Sequence, residues 1–101
     1  MSYDNAFSLT GKTPPQAVEL EQAVLGALML DQNALFTSIE TIKPEYFYKP
    51  EHQIIYRAIH SLFEKGQQVD LLTVVQELTK RGQLEEVGGS YYVTSLSNHV
   101  T

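Results

Sequence analysis

The chain has 101 residues, 43% of them hydrophobic, with a formal net charge of −5 and neither cysteine nor tryptophan. That length holds one domain with a modest core, and the missing cysteines exclude disulfides and thiolate zinc sites, as fits a reducing cytoplasm. The acidic balance argues against direct nucleic-acid binding, which calls for a basic face, and turns attention to protein partners.

Residues Met1 to Thr13 are polar and aperiodic, without the basic start and apolar run of a signal peptide, and read as a flexible leader. Within them, Ala6 to Thr13 (AFSLTGKT) matches a relaxed phosphate-loop pattern with Ala6 in place of the first glycine. That pattern raises the alternative of a small nucleotide-binding protein. A working loop needs a helix starting at its Lys-Thr pair, and Pro14 and Pro15 follow at once. The leader reading is therefore preferred.

From Val18 to Leu30 the chain is apolar or small at nearly every position of its C-terminal half, which predicts a central buried helix. The run is shorter than the roughly 20 residues that cross a bilayer. Glu19 and Glu21 are placed in its first turns, complementing the dipole. Asp31 and Asn33 then offer caps for a second helix over Ala34 to Ile42. Pro44 interrupts, and Glu45 to Tyr48 form an aromatic turn.

Pro50 suits the first position of a third helix reaching about Lys65, with Ile55, Ile59, Leu62 and Phe63 on one face. Gln53, Arg57, His60 and Glu64 lie opposite. Lys65-Gly66 is a stop signal, and Asp70 caps a fourth helix whose buried stripe is Leu71, Val74, Val75 and Leu78. Lys80, Arg81 and Gly82 end it. After a turn and a Gly88-Gly89 hinge, Ser90 to Leu96 has strand-like content, but no partner strand is evident. Helix is preferred, with Ser90 as its cap and Tyr92, Val93, Leu96 and Val100 on one face. The expected architecture is a small all-α bundle of about five to six helices around the central helix.

Little in the chain suggests catalysis. His52 and His60 are eight apart on one helix, too far to share a metal in the usual way, and His99 stands at the end. Each histidine reads as a surface or half-buried residue. The six tyrosines suit an interface or ordinary half-buried packing about equally.

Four stretches in register resemble the N-terminal domain of the bacterial replicative DNA helicase, DnaB type. They are PPQAVELEQAVLGALMLD from Pro14, the Tyr46 to His52 segment, VDLLTVVQELTKRGQLEEVGG from Val69, and the closing YYVTSLS. The likeness covers residues 14–101. It implies an all-helical globule that precedes a helical hairpin, a linker and a RecA-like motor, so the chain reads as a domain cut before the hairpin. It also implies no catalytic residue, cofactor or metal in this part, with ATP and magnesium belonging to the motor of the parent enzyme.

The partners implied are the domain itself, paired within a hexameric collar, the C-terminal region of primase, and a loader protein. The helicase-binding domain of primase has a related fold and is the alternative identity. Partner-facing residues are expected at Glu19, Asp70, Tyr91 and Tyr92, with ordinary core packing as the other reading of Tyr92. Ala17 stands where many family members carry a serine able to cap helix one, a loss of about 1 kcal/mol in its first turn.

Overall fold

The computed structural model describes residues 15–100, which form five α-helices and two short 3-10 turns with no strand among them. The helices are α1 (Pro15–Leu30), α2 (Gln32–Ser38), α3 (Pro50–Glu64), α4 (Leu71–Lys80) and α5 (Gly89–Ser95). A 3-10 turn at Pro44–Tyr46 leads into α3, and a second at Leu96–His99 follows α5. The phosphate-loop-like stretch Ala6 to Thr13 lies outside the described residues.

Local chemistry sets the boundaries. Asp31 caps α2, its carboxylate accepting from the Asn33 and Ala34 amides. Asp70 and Thr73 form a reciprocal capping box at α4, with Asp70 Oδ1 accepting from Thr73 N at 2.8 Å. Pro50 opens α3, where its missing N–H leaves nothing unpaired.

Three boundaries differ from expectation. Helix α1 begins at Pro15, so Ala17 lies inside the first turn and a serine there would not be its cap; Glu19 falls in the second turn. Helix α2 stops at Ser38 rather than Ile42. Helix α5 is capped by Gly88 at φ 108°, which places Ser90 within the helix. The Gly88 and Gly89 amides donate to the Glu85 and Leu84 carbonyls, making this a bonded turn rather than a free hinge.

The core draws on every helix: Leu25, Leu28 and Met29 from α1, Leu35 from α2, Val74 and Leu78 from α4, and Val93 from α5. Helix α3 gives the most, with Ile55, Tyr56, Ala58, Ile59 and Leu62. The central role expected of α1 is therefore shared with α3. Phe47, Val87 and Leu96 fill between the helices, and the Tyr56 hydroxyl lies 2.6 Å from the Ile42 carbonyl, tying the end of the α2 segment to α3. Helix α1 packs most extensively against the Leu96–His99 turn. The approach is close enough that a Cβ at Gly26 would overlap the Leu96 carbonyl oxygen and sit 2.7 Å from Val100 Cγ2. Helix α1 is not enclosed all round, however: Leu20 is 65% exposed and Leu30 53%.

Candidate protein-docking site

Burying a histidine is costly unless both ring nitrogens find partners. His52, in the first turn of α3, is fully buried, where the sequence suggested a surface or half-buried residue. Its Nδ1 lies 2.7 Å from Glu21 Oε1 on α1, and its Nε2 lies 2.6 Å from the Tyr92 hydroxyl on α5. Gln22 Nε2 donates to the same hydroxyl at 3.2 Å.

The donors and acceptors can be assigned in one consistent direction. The Gln22 amide donates to the Tyr92 oxygen, the Tyr92 hydroxyl donates to His52 Nε2, and His52 Nδ1–H donates to Glu21. The neutral Nδ1–H tautomer fits every link. Burial is the main influence on the ring and holds its pKa below the ordinary 6.5, with Lys49 adding to the depression. The hydrogen bond and charge of Glu21, and the charge of Glu51, pull the other way.

Glu21 has a second task. Its carboxylate accepts from the Tyr48 and Lys49 amides, the backbone donors that lead into α3. One side chain of α1 thus serves as a tertiary cap for another helix. Lys49 returns across the cluster, its Nζ 5.3 Å from the centre of the Tyr92 ring. The His52 and Tyr92 rings lie nearly parallel, 11° apart. Tyr92 is also set by Gly88, since a Cβ there would come within 3.0 Å of Tyr92 Cβ.

Tyr92 is half-buried, with its hydroxyl turned into this relay and part of its surface open. Its neighbour Tyr91 is 85% exposed. Glu19 is exposed, one turn before the Gln22 that reaches Tyr92. Asp70 is half-buried and occupied with capping its own helix. His52 has both nitrogens engaged and no exposed surface, so this Glu-His-Tyr arrangement fastens α1, α3 and α5 rather than meeting a substrate. Among the described residues, no three metal-binding side chains gather, and no helix is long and apolar enough to cross a membrane.

A second buried polar group escaped sequence reading. Glu77 on α4 is 7% exposed and accepts from Arg81 Nε at 2.8 Å, with Lys65 Nζ at 3.7 Å. The Arg81 hydrogen bond, helped by Lys65, holds its carboxyl below the usual carboxylate value against the opposing effect of burial.

Comparison with known proteins shows the family. A family model described as DnaB-like helicase N terminal domain matches residues 13–101. The replicative DNA helicase DnaB of Rhodothermus marinus is 50% identical over 90 residues, covering 89% of this chain and 10% of that protein. The replicative DNA helicase DnaC of Bacillus subtilis (strain 168) is 47% identical over 92 residues, covering 91% and 20%. The crystal structure of the N-terminal domain of DnaB helicase from Mycobacterium tuberculosis superposes with a TM-score of 0.81 at 40% identity, covering 87% of this chain and 64% of that one. This chain belongs to the family of DnaB-like helicase N-terminal domains.

Proposed function

We propose that this chain is the non-catalytic docking and assembly domain of a replicative hexameric DNA helicase. It pairs with copies of itself in a collar and receives the C-terminal region of primase, and a loader protein, during cytoplasmic DNA replication. The parent enzyme unwinds duplex DNA with ATP and magnesium supplied at its motor, while this domain binds no nucleic acid directly. The relatives named above are replicative helicases, which favours the helicase side over the primase alternative.

The observation that carries the docking role is Tyr92. It is half-buried next to the exposed Tyr91 in sequence, and its hydroxyl is held by His52. A partner meeting a ring already fixed in place loses little side-chain freedom on binding. Truncating such an anchor typically costs about 2 kcal/mol or more, whereas an exposed charge such as Glu19 mainly tunes association.

Calorimetry against the C-terminal region of the cognate primase tests the reading. The 101-residue chain is expected to bind weakly, and a version extended through the following hairpin more tightly, through pairing and avidity. Absence of binding by both would overturn the primase role.

A further inference from the structure

Helix α1 leaves a surface that the docking cluster does not use. Leu20 and Leu30 are exposed, and Ala23 and Ala27 between them are half-buried. At 3.6 residues per turn these four positions share one face, opposite Leu25 and Met29 in the core. Their spacing is symmetric: position 25 lies midway between residues 20 and 30, and also between residues 23 and 27. We propose that this face pairs with the same face of a second copy, the two α1 helices running antiparallel about a two-fold axis at position 25. The proposal deepens the assembly part of the function above by giving it a surface, and it rests on that reading.

The symmetry is what selects the occupant. In a two-fold interface residue i meets j and j meets i. Antiparallel pairing about position 25 sets Leu20 against the partner's Leu30, and Ala23 against the partner's Ala27. Both leucines thereby cover leucine, and the two alanines let the backbones approach closely. Parallel pairing would match any spacing to itself and needs no such symmetry. It would also align the two helix dipoles, which antiparallel packing opposes.

The face is small. A stable interface takes about 800 Å² per partner, more than one helix stripe of this length supplies. Pairing by this face alone is therefore weak, with a Kd on the order of 0.1–1 mM, and gains strength where copies are held close. The same two-fold sets Glu19 against the partner's exposed Asp31 at each end, so like charges oppose association and salt relieves them.

The absence of native cysteine allows a clean test. Single variants Leu20→Cys and Leu30→Cys are mixed and oxidised, then compared with each variant alone. The proposal expects the mixed pair to cross-link at least tenfold faster than either alone, because residues 20 and 20 of an antiparallel pair lie far apart. Faster cross-linking of Leu20→Cys with itself would overturn it in favour of parallel packing. Equal, slow rates in all mixtures would also overturn it.

Sedimentation equilibrium supplies the second readout. Leu30→Lys, a change at an exposed position, should weaken self-association at least tenfold while the circular dichroism spectrum stays unchanged. Glu19→Lys, now facing the partner's Asp31, should strengthen it about threefold. If the hairpin-extended chain self-associates but Leu30→Lys has no effect and no mixed cross-link forms, this surface is wrong and the assembly reading stands. If the extended chain stays monomeric at millimolar concentration, both fall.

Discussion

Two buried polar groups in this domain, His52 and Glu77, meet the cost of burial in different ways. Glu77 keeps its charge and answers it with Arg81, one turn along its own helix, and with Lys65 just beyond α3. His52 stays neutral and finds partners on two other helices, 31 and 40 residues away in sequence. The first arrangement pins the last turn of α4 to the end of α3. The second holds α1, α3 and α5 together and leaves Tyr92 half-buried. A local ion pair stabilises an element, whereas a neutral relay across the chain fixes the relation between elements and the surface they share.

Substitutions separate the two. His52→Leu keeps a similar volume but leaves the Glu21 and Tyr92 polar atoms facing an apolar group. The expected loss is about 3 kcal/mol, read from urea unfolding midpoints at constant slope. Glu77→Gln should cost less, about 1–2 kcal/mol. Its cations are partly exposed and can turn to water, so no buried charge is stranded. Equal losses from the two would erase the distinction. Tyr92→Phe removes one hydroxyl and keeps the ring, for an expected 0.5–1 kcal/mol.

The dependence on pH is the smallest effect, because burial and Glu21 pull His52 in opposite directions. The unfolded chain takes up the histidine proton near pH 6.5 and the fold only at lower pH. Stability from this group is thus complete above about 6.5 and lost as pH falls from there toward the folded value. Glu77 adds a second loss further into acid: its contribution is present above 4.5 and disappears as pH drops through its depressed folded value. His52→Leu should abolish the first loss and keep the second, and Glu77→Gln the reverse, in unfolding midpoints followed from pH 8 to 3.

The same contrast explains what was legible in the sequence. The capping of α2 by Asp31 and of α4 by Asp70 was readable because each cap acts within three residues. The strand-or-helix ambiguity at Ser90 to Leu96 also resolved as expected, since a lone strand has no way to pair its backbone.

His52 was misjudged because its partners are remote. Its position was still readable: 52, 55 and 59 follow helical spacing, which puts it on the face of the buried Ile55 and Ile59. Glu77 offered a similar signal, lying three residues from Val74 and next to Leu78. The open side of α1 was hidden for the opposite reason. In a helix apolar on nearly every side, periodicity no longer tells the covered face from the bare one.

The central claim is that the His52 relay serves a docking face while the Glu77 cluster serves only the fold. The most direct measurement is calorimetric titration of the primase C-terminal region into the hairpin-extended protein and its Tyr92→Ala and Glu77→Gln variants. The account predicts about thirtyfold weaker binding for Tyr92→Ala, the equivalent of about 2 kcal/mol, and unchanged affinity for Glu77→Gln. Equal losses in the two variants, or full affinity in Tyr92→Ala, would contradict it.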